Sequence, residues 1–273
     1  MPRAVPLVAI AGLILALTAC STVADAPPRD ASTSFPTDAR FDYQLGATYP
    51  PAEGVTVVVR DRTAEPADGL YSICYVNAFQ TQPGESDDWP DGTLLERDGE
   101  PVFDPDWPDE RLVDTSTDEA RRRVVEHVAA WIRGCAASGF QAVEFDNLDT
   151  FTRTDGALTF DDNAAVAAAL VAAAHGAGLA AGQKNAAEFA DRLRDAAGFD
   201  FAVAEECAAY DECSAYSDVY GAHVIDIEYT DQLPRSFAQM CADDATPTAT
   251  VLRDRRLSTP DAAEYAFATC PPR

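Results

Sequence analysis

Eight short stretches of this chain read as strands, and most of the gaps between them carry the spacing of a helix. The clearest strands are VTVVVR at 55–60, LYSICYVN at 70–77, LAAGQK at 179–184, FDFAVAEE at 199–206 and AHVIDIE at 222–228. Shorter ones fall at 41–45 and 248–253, and GFQAVEFDNLD at 139–149 is a buried strand ending in acids. Residues Ser116, Thr117, Asp118 and Glu119 fit a capping box, and 121–137 then carries helical spacing through Val124, Val128, Trp131 and Ile132. An alanine-rich helix starts at Asp161 or Asp162 and runs through His175, closed by Gly176 and Gly178. Further helices are expected at 186–197, around 235–242, and at 261–268 behind Thr259 and Pro260. Residues 78–114 show no steady period, and a loop of that length in a compact domain is usually functional.

Strands alternating with helices predict an α/β protein with parallel strands, and eight of them match a single (β/α)8 TIM barrel. A doubly wound open sheet is the competing architecture. It usually has fewer strands, and no glycine-rich phosphate turn follows the first strand here.

Polar groups recur at the C-terminal ends of the strands: Asn77, Asp146, Lys184, Glu205, Glu228 and Arg253. In a barrel these ends converge on one mouth, where active sites lie. The stretch 139–149 stands out among them. Val143 and Phe145 fall on one face, Ala142, Glu144 and Asp146 on the other, and Asn147 and Asp149 follow where the strand runs out. Carboxylates crowded this closely raise one another's pKa, as general acid/base work requires. The competing account is a solvated acidic strand end, or one that holds a structural cation.

Composition adds the compartment and the partner. Arg3, an apolar run at 7–17 and the ending LTAC form a leader at 1–20 that resembles a lipoprotein signal, with Cys20 as the lipidated residue. The apolar run is too short to span a bilayer. Residues 21–38 read as a flexible tether, and 39–273 as one domain. The expected protein is exported and held at the outer face of the membrane through Cys20, or secreted, and monomeric. A formal charge of −26 argues against nucleic acid as a partner and favours a cationic one, such as an amino-sugar polymer. Besides Cys20 there are six cysteines, an even number in a compartment where disulfides persist. The pairings expected are Cys207–Cys213 from proximity, Cys74–Cys135 and Cys241–Cys270. A zinc site competes poorly, because no CxxC occurs and the three histidines are scattered.

Two carboxylates facing each other across a cleft are the minimal equipment for cutting a glycosidic bond. Asp146 and either Glu205 or Glu206 are the candidates, and periodicity does not separate the two glutamates. No GxSxG elbow supports serine hydrolysis. Lys184 could form a Schiff base, but a lysine among carboxylates keeps its proton and is a poor nucleophile. Metal chemistry through Glu144, Asp146 and Asp149 lacks histidine support, so no metal and no cofactor is assigned. Tyr43, Tyr75, Trp89, Trp107 and Tyr229 could stack on sugar rings or amino-sugar cations.

The motifs GFQAVEFDNLD, GLAAGQKN, FDFAVAEECAAYDEC and VIDIEY, in this order, resemble glycoside hydrolase family 114. FDYQLG, ICYVNAF and WPDERLVD extend the likeness over roughly 41–229. The family comprises endo-α-1,4-polygalactosaminidases and relatives on a barrel. Its catalytic Asp in a D-N-x-D context falls on Asp146, and its catalytic Glu in an N-E-Q-C context falls on Glu205. Ala204 and Glu206 stand where the family has Asn and Gln. The resemblance implies an enzyme cutting α-1,4-linked galactosamine, with Asp146 as nucleophile or base and Glu205 as general acid. Tyr43, Tyr75, Asn77, Asn147, Asp149, Lys184, Asn185, Glu206, Glu228 and Tyr229 are the expected substrate contacts. The alternatives are a lipid-anchored polysaccharide-binding barrel without turnover, and an assembly lipoprotein using the barrel as a scaffold.

Overall fold

The computed structural model describes Met1, residues 35–37 and residues 39–271. The leader, Cys20 and most of the tether lie outside the described residues. Phe35, expected in the tether, instead belongs to the fold. It is buried, and its ring stacks 4.7 Å from that of Phe201.

Nine strands form one sheet that curls into a nearly closed barrel. In chain order β1 (Phe41–Gln44), β2 (Val57–Asp61) and β3 (Tyr71–Asn77) pair side by side in parallel. A small hairpin of β4 (Glu96–Arg97) and β5 (Glu100–Pro101) stands apart in the long loop. The barrel continues through β6 (Ala142–Asp146), β7 (Ala180–Lys184), β8 (Phe201–Glu205), β9 (Val224–Tyr229) and β10 (Ala249–Arg253), all parallel. The expected TIM-barrel class therefore holds, with one strand added: β11 (Phe267–Thr269) runs antiparallel to β10.

The seam between β10 and β1 is bridged by a side chain. Arg253 is fully buried, and its Nη1 donates to Asp42 Oδ1 at 3.0 Å and to the Tyr43 carbonyl. Expected at the mouth, Arg253 serves instead as a bolt between the first and last parallel strands. It also explains why 261–268 is not the expected helix. Arg253 Nε takes the Ala266 carbonyl and Asp254 takes the Ala266 N–H, which holds the chain extended into β11.

Helices cover the outside: α1 (Asp118–Ser138), α2 (Phe160–Gly176), α3 (Ala190–Ala197), α4 (Cys213–Tyr220) and α5 (Phe237–Cys241). The α1 cap is Thr117 rather than Ser116, since its hydroxyl accepts the Ala120 N–H, while Glu119 turns to Arg122 and Arg123. The α2 capping box is Thr159 with Asp162, two or three residues earlier than a start at Asp161 or Asp162 suggested. Helix α4 was not expected, although Cys213, Tyr216 and Tyr220, its buried face, have helical spacing.

Strand alternation divides the core in two. Val143, Phe145, Ala202 and Ala204 face the helices, while Tyr43, Val59, Ile73, Tyr75, Phe201, Val203, Ile225 and Ile227 fill the barrel. Gly182 makes room inside, for a Cβ there would meet the Phe201 ring at 2.5 Å. The three disulfides pair Cys74 with Cys135, Cys207 with Cys213 and Cys241 with Cys270, as the sequence reading expected.

Candidate active site

The inward parity of β6, β7, β8 and β9 brings their last residues, Asp146, Lys184, Glu205 and Tyr229, together at the barrel mouth. Lys184 stands between the two acids. Its Nζ lies 2.8 Å from Glu205 Oε2 and 3.2 Å from Asp146 Oδ2. The two carboxylate oxygens are therefore no more than about 6 Å apart.

Each acid accepts from two further donors besides Lys184. Asp146 accepts from the Tyr75 hydroxyl at 2.8 Å and from the Asn147 N–H at 2.8 Å. Glu205 accepts from Asn185 Nδ2 at 2.9 Å and from the Tyr229 hydroxyl. Asn185 is locked in turn, because its Oδ1 accepts the Glu205 N–H at 2.9 Å.

One backbone device recurs at three neighbouring strand ends. Asn147, Asn185 and Glu206, the residues after Asp146, Lys184 and Glu205, all have left-handed φ, at 62°, 53° and 61°. Asparagine tolerates this region, whereas glutamate does so at a cost of order 1 kcal/mol or more. The sharp exit leaves the last strand residue aimed into the mouth. Backbone outliers of this kind cluster at functional sites, which makes this mouth the candidate.

Electrostatics separates the buried groups. Burial alone would raise Glu205, but the Lys184 charge and the hydrogen bonds from Lys184, Tyr229 and Asn185 outweigh it and bring its carboxyl down to about 2. Burial would lower Lys184, yet Asp146, Glu205 and Glu144 hold it above the usual lysine range. It is a protonated cation, which removes the Schiff-base reading. Burial, with Asp146 beside it, pushes the Tyr75 hydroxyl well up, and burial with Glu205 does the same for Tyr229; both therefore remain donors.

Around this centre runs a polar belt. Asn147 Nδ2 donates to Asn77 Oδ1 at 3.0 Å, and Asn77 reaches Glu110 at 3.4 Å. Arg153 bonds Asn147 Oδ1 at 3.1 Å and pairs with Asp149 at 2.8 Å and with Asp104 at 2.6 Å. On the other side Arg255 forms a fork with Glu206, at 2.7 and 3.2 Å, and lies over the Tyr229 ring.

Several expected contacts are placed differently. Tyr43 is fully buried below the mouth, with its hydroxyl on Glu144. Glu228 faces outward from β9, because Ile225 and Ile227 take the barrel interior. Its Oε1 accepts the Ala208 and Ala209 N–H groups at 2.9 and 3.1 Å, and Asp226 does the same for Cys207. These two acids cap the segment after β8. Asp149 and Glu206 are held by arginines rather than left open. Cys207, Cys213 and Asp226 lie together, but both sulfurs are spent in the disulfide. Glu110, Arg153 and Arg255 escaped the sequence reading. Glu110 lies within the WPDERLVD motif and Arg153 stands four residues after Asp149, whereas Arg255 left no signal.

A barrel with two acids and a shared lysine at its C-terminal mouth has the arrangement that a barrel glycoside hydrolase requires. The model of glycoside-hydrolase family GH114 matches residues 22–271, and the chain belongs to that family. Among solved structures it is similar to Ega3 of Aspergillus fumigatus in complex with galactosamine. The identity is 20%, with 90% of this chain and 98% of that one covered at a TM-score of 0.69. The glycoside hydrolase domain of PelA from Pseudomonas aeruginosa is similar at 14% identity and a TM-score of 0.51, covering 84% of this chain and 97% of that one. A variant of that domain gives 16% identity and 0.55 over the same shares. No curated protein sequence matches the chain.

Proposed function

We propose that this protein hydrolyses an α-1,4-linked, galactosamine-containing polysaccharide by a two-carboxylate mechanism at Asp146 and Glu205. The observation that carries the reading is the single ammonium of Lys184 shared by the two acids at 3.2 and 2.8 Å. A separation under about 6 Å fits the closer spacing of retaining enzymes, which leaves no room for a water between acid and sugar. Asp146 is then the nucleophile and Glu205 the acid that becomes the base. Its ionised state in the free protein is the one the second step needs. For the first step, a ligand that draws Lys184 onto Asp146 removes the largest effect keeping Glu205 ionised, and burial then favours its protonation.

Tyr75, Asn147, Lys184, Asn185 and Tyr229 hold the two carboxylates. Asn77, Asp149 and Glu206 shape the walls at one remove. The family, the galactosamine in the Ega3 complex and the formal charge of −26 support a cationic amino-sugar polymer as substrate. Export is supported by the three disulfides and the leader, and anchoring by Cys20. A Cys20→Ser variant released from membranes into the medium would test the anchor, and size exclusion the monomer.

The ionised Glu205 also favours a second reading, a polysaccharide-binding barrel without turnover. Reducing-end release from partly deacetylated α-1,4-galactosamine polymer separates the two. Release by wild type and by neither Glu205→Gln nor Asp146→Asn supports the enzyme. Tight binding without release by any form supports the binding barrel. Proton NMR of the first sugar released reads the anomer, and inversion would overturn the retaining assignment.

A further inference from the structure

Glu144 is the buried acid that this chemistry leaves unused. It stands two residues before Asp146 on β6, so its side chain enters the same barrel interior one layer deeper. None of it is exposed. The Tyr43 hydroxyl donates to Oε1 at 2.8 Å, while Oε2 is buried with no hydrogen-bond partner. A carboxyl kept only to tie strands together would have both oxygens satisfied.

The titratable groups facing it come from every neighbouring strand. They are Tyr43 from β1, Tyr75 from β3, Lys184 from β7, Glu205 from β8 and Asp146 from its own strand. Lys184 has three donors and gives one each to Asp146 and Glu205. The third donor is not used by either acid, and the Lys184 charge already acts on Glu144. Burial pushes Glu144 up to about 8, against the lowering pull of Lys184 and of the Tyr43 hydrogen bond.

We propose that Glu144 is a positioning residue that, while it holds its proton, leaves the Lys184 ammonium to Asp146 and Glu205, and on losing it draws that ammonium down the barrel. With Glu144 neutral, two carboxyl groups share one cation at the mouth. With it ionised, three compete for that cation. Glu205 then loses part of its strongest stabilising partner and gains a negative neighbour, so its proton affinity rises. Asp146 loses a hydrogen bond at the same moment. The Lys184 ammonium, drawn down the barrel, no longer aligns Asp146 for attack, and this loss outweighs the gain in Glu205 proton affinity, so hydrolysis falls on the alkaline side as Glu144 ionises. This rests on Asp146 and Glu205 being the reacting acids.

The test follows the glutamate δ-carbons by 13C NMR from about pH 3 to about pH 10 in the full chain, wild type against Glu144→Gln, beside kcat/KM on the same polymer. In wild type the Glu205 resonance, whose own step lies below this range, should move again as Glu144 titrates, and that second step should vanish in Glu144→Gln. The alkaline limb of kcat/KM should rise by about one pH unit or more in the variant, whatever its rate near neutrality. A Glu205 resonance blind to Glu144, or superimposable alkaline limbs, overturns the inference. Wild type without turnover at any pH would defeat the enzyme reading, and the NMR then decides the inference by itself. If Glu144→Gln does not fold, Tyr43→Phe replaces it. Loss of that hydrogen bond should carry the Glu144 titration and the second Glu205 step upward together, and no movement overturns the proposal.

Discussion

The Arg255 guanidinium lies 4.3 Å from the centre of the Tyr229 ring, and the hydroxyl of that ring donates to Glu205. Arg255 is itself fastened to Glu206 and Asp231. A loop residue after β10 thus holds a strand residue of β9 against the candidate acid of β8. Tyr229→Phe removes one hydrogen bond to a charged group, about 1.5–3 kcal/mol, and should cut kcat by roughly ten- to a hundredfold. Arg255→Ala should have a smaller effect in the same direction, with KM changing less than kcat. Steady-state kinetics on the polymer check both, and a larger loss from Arg255→Ala would mean that it touches substrate.

Lys184→Met should be the most costly single change at the mouth. It leaves the partly buried Glu205 without its cation; breaking a fully buried pair costs about 3–5 kcal/mol, and the exposure of Glu205 places this change below that range. In the parent, Glu205 is held below its unfolded value, so its contribution is present above about pH 4.5 and lost as pH falls through about 2. In the variant burial dominates and the sign reverses. The folded form then prefers the protonated acid, and thermal midpoints should recover on acidification from neutral pH toward about pH 4.5. A variant whose deficit is the same at both pH values would contradict this.

Glu228 should matter for stability rather than for binding. Its Oε1 holds the Ala208 and Ala209 N–H groups, and leaving buried donors unpaired costs about 1–3 kcal/mol. Glu228→Ala should lower the thermal midpoint clearly, and Glu228→Gln, which keeps an acceptor oxygen, much less. Polymer KM should stay near the parent value in the glutamine variant. An increase of tenfold or more would return Glu228 to the substrate contacts.

The disulfides should rank by the chain they enclose. Cys74–Cys135 spans a sequence separation of 61 and Cys207–Cys213 one of 6. On the chain-entropy account the first contributes about 4 kcal/mol and the second about 2. Chemical denaturation of the paired Cys→Ala variants reads the order. Equal losses would show that the bonds act through local native packing instead.

Much of this was legible in the chain. The eight parallel strands and four of the five helices follow from periodicity, the six cysteines were expected to pair as they do, and the motif resemblance picked out Asp146 and Glu205, which the fold brings to one mouth. Those signals are local, or a matter of composition. Strand β6 shows where they suffice: Val143 and Phe145 share one face and pack on the helices, which leaves Glu144 and Asp146 facing inward. At β8 the same argument is silent, because Phe201 and Val203 fill the barrel as readily as Ala202 and Ala204 fill the outer layer. At β9 it misleads. Polar Glu228 was expected at the mouth, yet with Asp226 it satisfies backbone donors outside the barrel, and the interior takes the isoleucines.

Tertiary structure decided whatever depends on partners remote in the chain. The helix expected at 261–268 has local capping chemistry, but Arg253 and Asp254 bind the Ala266 backbone and pull it into β11. Lys184 is only a lysine at a strand end until β6 and β8 bring their acids to either side of it. Glu144 lies in plain sight beside Asp146 in the sequence. Its burial, its single hydrogen bond and its unpartnered oxygen exist only once five strands close around it. Alternation is written residue by residue, whereas burial and charge coupling are properties of the closed barrel.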